Sequence, residues 1–147
     1  MDRGAAVVLT ATAGGLIALQ APINSTLGRN VGTFQGAFVS FAVGTVALAV
    51  IASVARGGLG QIAEARNVPW YYLTGGLLGA VYVSSVLVTV RSLGAGGVTA
   101  ATIAGQLTLS VTVDHFGWLG VERQPITASK LAGLALLAAG TWLVIRD

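Results

Sequence analysis

Long stretches without a charged residue alternate with short charged segments along the chain. Four such stretches hold 25, 26, 24 and 22 residues, and they are bounded by Arg3, Arg29, Arg56, Arg66, Arg91 and Asp114. Each is long enough to cross about 30 Å of hydrocarbon as a helix that rises 1.5 Å per residue. Because an ionised side chain at the bilayer centre costs several kcal/mol, the pattern predicts a transmembrane helix in each stretch.

A fifth apolar run closes the chain, with only 15 residues between Lys130 and Arg146. We expect its helix to begin near Thr127, with the aliphatic stem of Lys130 extending toward the headgroups. The first run follows Arg3 and has features of a signal peptide, but the four later runs favour a membrane span. The prediction is a single all-α transmembrane domain over residues 1–147, a polytopic helical bundle. Its five spans lie at about residues 4–28, 33–55, 69–90, 97–116 and 127–145.

The segments between the spans are short, and only residues 56–69 have room for a surface turn or a short interfacial helix. Pro69 fits the start of the third helix, where the missing N–H costs nothing. Aromatic residues near span ends are predicted to anchor the helices at the membrane interface. They are Trp70, Tyr71, Tyr72, Trp118 and Trp142.

The composition agrees with a membrane protein and excludes several functional classes. Hydrophobic residues make up 54% of the chain and charged residues 9%, whereas soluble domains have about 25% charged residues. The eight Lys and Arg residues are scattered, so no nucleic-acid partner is expected despite the net charge of +3. With one histidine, no cysteine and no paired carboxylates, the sequence predicts no catalytic residues, no metal site and no cofactor. We therefore do not expect an enzyme.

Charges outside the spans give a weak signal of orientation. With five spans, Arg3, Arg56, Arg66, Arg123 and Lys130 lie on one side of the membrane. The other side has three basic residues, Arg29, Arg91 and Arg146. The positive-inside rule normally produces a larger difference. The pattern permits insertion in both orientations, with a faint preference for a cytoplasmic N-terminus.

Small residues recur at helical spacing inside the spans. Gly36, Ser40 and Gly44 are four residues apart in the second span, as are Gly75 and Gly79 in the third. Membrane helices associate through close backbone contact at such positions, so these residues are candidates for helix packing. The alternative is that the glycines leave space for a ligand.

Polar residues in the first span lie on both sides of a proline. Gln20 and Asn24 are one helical turn apart, with Pro22 between them. Pro22 frees a backbone carbonyl one turn earlier, and such irregular backbone survives in a membrane only against protein or water. We expect this face of the helix to point away from lipid.

The fourth span has a longer polar stripe, in which Thr99, Thr102, Gln106, Ser110 and Asp114 follow at spacings of three or four. The stripe fits either polar contacts between helices or the lining of a polar pathway that Gln20 and Asn24 also face. Asp114 is either a helix-end carboxylate in interfacial water or a site for a proton or cation. His115, its neighbour, points about 100° away around the helix.

The chain resembles a bacterial membrane-protein family in five segments. They are GGLIALQAPINSTLG at 14–28, GGLLGA at 75–80, GQL at 105–107, DHFGWLG at 114–120 and GLALLAAGTWLV at the end of the chain. These segments resemble the YdcZ family of short inner-membrane proteins within the drug/metabolite transporter (DMT) superfamily. Larger members of that superfamily have ten helices in two inverted halves of five.

The resemblance implies that this chain is one half of a transporter in the bacterial inner membrane. The other half would be a second copy in the opposite orientation, which makes an antiparallel homodimer with dual topology, or a sister chain of opposite topology. Small multidrug exporters of the superfamily use a glutamate in the first helix, whereas this span has only amides and hydroxyls. Export of cationic drugs coupled to protons is therefore not expected.

The sequence thus predicts a transporter of a small polar or amphipathic solute that works by alternating access. The candidate substrate-binding residues are Gln20, Asn24, Gln106, Ser110 and Asp114. Amides both donate and accept hydrogen bonds, which suits a neutral or zwitterionic solute. The alternatives are a scaffold or accessory subunit that does not transport, and a passive pore.

Overall fold

A computed structural model describes residues 2–55 and 58–146. Arg56, which closes the second uncharged stretch, lies outside these residues, as does Gly57. Helices and turns account for the regular structure of the described ranges, which contain no strand. The all-α class predicted from the sequence is confirmed.

Four α-helices make up most of the described chain. They are α1 (Arg3–Val31), α2 (Thr33–Val54), α3 (Gly75–Phe116) and α4 (Ala128–Ile145). Shorter 3-10 helices cover Gly58–Asn67, Trp70–Thr74 and Trp118–Gly120. Four helical stretches in the described ranges are long and apolar enough to cross a membrane, and the third of them runs from Trp70 to Phe116.

Side-chain caps define where two of the helices begin. The Asp2 carboxylate accepts a hydrogen bond from the Ala5 N–H at 2.8 Å, which satisfies one of the free donors of the first turn of α1. The Thr127 hydroxyl accepts from the Lys130 N–H at 3.3 Å at the start of α4. Both caps lie just outside the apolar runs, where a polar side chain can meet water and headgroups.

Helix α3 is broken at Gly94, which has φ 67° and ψ 170°. An unbroken helix of 42 residues would be about 63 Å long, more than twice the thickness of the hydrocarbon core. The break separates a first limb of α3, residues 75–93, from a second limb, residues 95–116. Each limb is about as long as one membrane crossing.

Contacts between Cα atoms divide the chain into two compact units, of which one ends at Arg91 and the other begins at Ser92. In the first unit, α1, α2 and the first limb of α3 pack around Ala37, Val83 and Leu87. Leu87 is the most enclosed of these, with 1% of its surface exposed. In the second unit, Val98 and Val111 on the second limb are buried.

Most large apolar side chains lie on the outside of the helices. Phe34, Phe38 and Leu136 are each more than 70% exposed, and α4 buries none of its residues. Such a surface is not stable in water but is suited to hydrocarbon. The protein is therefore a membrane helical bundle.

Candidate solute-binding site

A tight turn joins α1 to α2 and brings their ends into contact. Gly32 is the single residue between the two helices, and its φ of 100° is a conformation that favours glycine. The Gly32 N–H donates to the Gly28 carbonyl at 3.0 Å, and the Gly36 N–H donates to the Gly32 carbonyl at 2.8 Å. The two helices are thus held side by side from this turn onward.

One face of α1 is covered by its neighbours in the first unit. The buried residues of this helix are Ala21, Asn24, Ser25 and Gly28, at the spacing of one helix face. Asn24 is 4% exposed, so the structure places it inward, as the sequence suggested. Gln20, one turn earlier, is exposed. The two amides therefore have different environments although they are close in sequence.

Gln20 lies at the edge of a cleft of about 190 Å³ between α1 and α2. The cleft is lined by Gln20 on α1 and by Ser40, Phe41, Gly44, Thr45 and Leu48 on α2. Gly44 contributes to the space because a Cβ atom at this position would meet nothing within 4 Å. An amide, two hydroxyls and an aromatic ring thus surround one opening in an otherwise apolar pair of helices.

Two of the polar groups in this cleft lack a partner. The Thr45 hydroxyl donates to the Phe41 carbonyl at 2.8 Å in its own helix. Within residues 2–55 and 58–146, by contrast, neither the Gln20 amide nor the Ser40 hydroxyl makes a hydrogen bond. The Phe41 ring also lies against α3, since its Cζ is 3.4 Å from where a Gly79 Cβ would be. The cleft therefore offers free hydrogen-bonding groups beside a supported ring.

The polar stripe of the fourth predicted span lies on the second limb of α3. Gln106 and Ser110 are exposed, while Thr99, Thr102 and Asp114 are half-buried. The side chains of Gln106, Ser110 and Asp114 make no hydrogen bond to any other part of the described chain. These three groups are available to a ligand or to another molecule.

The packing of the second limb against α4 uses a different face of the helix. The Thr141 hydroxyl donates to the Ala100 carbonyl at 3.2 Å, and a Cβ on Gly97 would lie 3.6 Å from Ile145. Gln106 follows Gly97 by nine residues, which places it about 180° around the helix. Gln106 therefore does not serve as a polar contact between this limb and α4.

His115 holds the segment that follows α3. Its Nδ1 accepts a hydrogen bond from the Ile126 N–H at 3.2 Å, and the Arg123 Nε donates to the His115 carbonyl at 3.0 Å. The Asp114 carbonyl accepts from the Gln124 N–H at 2.8 Å. Much of the DHFGWLG segment thus has a structural role, which leaves the Asp114 carboxylate as its free ionisable group in the described ranges.

The structure places the five sequence-predicted site residues in two groups. Gln20 and Asn24 belong to the first unit, and Gln106, Ser110 and Asp114 belong to the second. Phe41 and Thr45 are not among the residues predicted from the sequence, whereas Ser40 and Gly44 are predicted there as candidates for helix packing. The available signal was that polar Ser40 and Thr45 flank small or aromatic residues on the same stretch of α2.

A comparison with known protein families identifies the family of this chain. The model of the DMT_YdcZ family, described as "Putative inner membrane exporter, YdcZ", matches residues 5–143. No curated protein and no solved structure matches the chain. The family match spans nearly the whole sequence and covers all or most of every helix described above. The resemblance noted from the five segments is confirmed, and the chain belongs to the YdcZ family of inner-membrane transport proteins.

Proposed function

We propose that the chain is one half of a transporter in which two antiparallel five-helix subunits enclose a site near the middle of the membrane. The solute is small, polar or amphipathic, and it crosses by alternating access. The subunits are two copies of this chain in opposite orientations or this chain and a sister of opposite topology.

The observation that carries the proposal is the exposure of unpartnered polar groups on apolar helices. The Gln20 and Gln106 amides and the Ser110 hydroxyl are exposed, and none makes a hydrogen bond within the described residues. In hydrocarbon each such group costs a few kcal/mol. A second subunit that encloses water and solute at these positions removes this cost, whereas lipid does not.

Each candidate residue has a role in this arrangement. Gln20, Gln106 and Ser110 hydrogen-bond the solute directly. Asn24 is buried, and it joins them when the packing of α1 changes between the two states of the cycle. Asp114, half-buried near the end of α3, adjusts the charge at one mouth of the pathway. Because amides donate and accept, the set suits a neutral or zwitterionic solute better than an ion.

Flux into liposomes tests this function. Purified protein is reconstituted and offered sorbitol, alanine, putrescine and lactate, which are neutral, zwitterionic, cationic and anionic. We expect saturable flux of sorbitol or alanine, and loss of that flux in Gln106→Ala. Thr108→Ala is the matched control, because the Thr108 hydroxyl already bonds to the Ala104 carbonyl of its own helix.

Other outcomes of the flux measurement would overturn the proposal. No flux of any of the four solutes from a correctly assembled protein would indicate a scaffold or accessory subunit. Flux that rises without saturation would indicate a passive pore. Flux restricted to putrescine or lactate would contradict the neutral or zwitterionic solute.

The antiparallel arrangement has a separate test. The basic residues divide five to three between the two sides of the membrane, which is a weak orientation signal. Reporters that are active on only one side, fused to the C-terminus, should therefore give signal from both sides. Signal from a single side would contradict the homodimer and favour a sister chain.

A further inference from the structure

We propose that the cleft between α1 and α2 is the part of the binding site that holds the apolar, ring-sized portion of an uncharged solute. This inference rests on the proposed function and narrows the substrate to molecules with a neutral hydrogen-bonding group. It assigns binding roles to Ser40 and Phe41, in addition to Gln20.

The volume of the cleft sets the size of the group that it can hold. A buried cavity of about 150 Å³ accommodates a benzene ring. The cleft is about 190 Å³, which adds room for one small polar substituent. The Phe41 ring and the Leu48 side chain supply apolar surface for the ring.

The lining of the cleft determines the charge of its ligand. None of the six lining residues is ionisable. An ion that enters such a cleft loses its hydration without gaining a counter-charge, which costs several kcal/mol. The free Gln20 amide and Ser40 hydroxyl compensate instead for the desolvation of a neutral hydroxyl or amide group.

The position of the cleft along α1 makes lipid an unfavourable occupant. Gln20 precedes Arg29 by nine residues, or about 14 Å along the helix, so it lies well inside the hydrocarbon region. An acyl chain in the cleft would leave two polar side chains without partners there. A solute that carries both an apolar ring and a hydrogen-bonding group satisfies the whole lining.

Thiol labelling provides the test, because the chain has no cysteine of its own. Ser40→Cys places a thiol in the cleft with almost no change of shape. Ser53→Cys, the same substitution near the end of α2 and outside the cleft, is the control. Both variants in lipid nanodiscs are treated with a water-soluble maleimide in the presence of benzyl alcohol, benzylamine or benzoate, which share a ring but differ in charge.

We expect benzyl alcohol to slow the labelling of Ser40→Cys several-fold and to leave Ser53→Cys unchanged, while benzylamine and benzoate have little effect. In Gln20→Ala/Ser40→Cys, the concentration of benzyl alcohol that gives half-protection should rise about fivefold, as for one lost hydrogen bond. A Ser40→Cys thiol that does not react at all would show that lipid or protein fills the cleft. Equal protection by all three probes, or by none, would also overturn the inference.

The labelling result is independent of transport. If no probe protects Ser40→Cys but flux of sorbitol or alanine is saturable and depends on Gln106, the proposed binding cleft is wrong and the transport function stands. If benzyl alcohol protects Ser40→Cys but neither solute shows saturable flux, the proposed transport function is wrong and the binding cleft stands.

Discussion

A Cβ atom on Gly36 would lie 2.9 Å from the Cα atom of Gly28 and 3.0 Å from its nitrogen. The backbones of α1 and α2 are therefore in direct contact at this point. Leu87 of the first limb of α3 closes the same contact, since its Cδ2 is 3.1 Å from where a Gly28 Cβ would be. Without a hydrophobic driving force between helices in lipid, such close backbone contact is a main source of their association.

Gly36→Ala should lower the free energy of unfolding in detergent by about 1–3 kcal/mol, because its methyl group meets backbone that cannot move without shifting a helix. Gly28→Ala should cost less, since the nearest atom to its methyl group is the side-chain Cδ2 of Leu87 at 3.1 Å, not backbone at under 3 Å. Gly14→Ala on α1 is the control, with nothing within 4 Å of its Cβ. Thermal unfolding followed by circular dichroism measures all three. Equal stability of Gly36→Ala and Gly14→Ala would show that the helices do not meet here.

The break in α3 depends on a second glycine. Gly94 has φ 67° with ψ 170°, a region of backbone conformation that is essentially restricted to glycine. Gly94→Ala should therefore destabilise the protein by about 1–3 kcal/mol. Gly96→Ala, two residues away and without positive φ, should be close to neutral. Thermal unfolding of the two variants compares them, and equal melting temperatures would contradict the strained break.

The fold class could be predicted from the sequence because uncharged length is a direct physical requirement for crossing a bilayer. The same pattern predicts a connection at residues 91–97, because Arg91 interrupts the apolar run. Helix α3 is broken within this segment, at Gly94. The pattern contains no information on which glycine takes the unusual conformation. Gly94, Gly96 and Gly97 are the same residue type, so the sequence does not distinguish them, whereas the backbone of the structure has a positive φ at Gly94.

The sequence predicted the residues of the candidate site less completely than it predicted the fold class. Periodicity placed Asn24 on an inward face, and Asn24 is buried. It did not separate Asn24 from Gln20, because the cleft beside Gln20 exists only where Gly44 on another helix leaves space. Contacts between helices of this kind depend on the relative rotation of the two helices, which a one-dimensional pattern does not fix.

The hydrogen bond to His115 should protect one amide in the segment after α3. The Ile126 N–H donates to the His115 Nδ1 at 3.2 Å. In His115→Phe this amide has no acceptor, so its hydrogen exchange should be about five- to tenfold faster, as expected for about 1 kcal/mol. His115→Asn is the control, because an amide oxygen can replace the ring nitrogen as acceptor. The exchange rate of the Ile126 amide is measured by NMR. Equal rates in His115→Phe and in the native protein would show that this hydrogen bond does not protect the amide.

Filling the cleft should stop transport without unfolding the protein. Gly44 has open space beyond its Cα, and a leucine there would occupy much of the cleft between α1 and α2. Leucine is also a better helix former than glycine, so Gly44→Leu should keep or raise the melting temperature. Saturable flux in liposomes should fall on the order of tenfold or more, since 1.4 kcal/mol of lost solute binding already gives that factor. Gly14→Leu, at an open position on α1 outside the cleft, should transport normally. Normal flux in a folded Gly44→Leu protein would mean that the solute passes elsewhere.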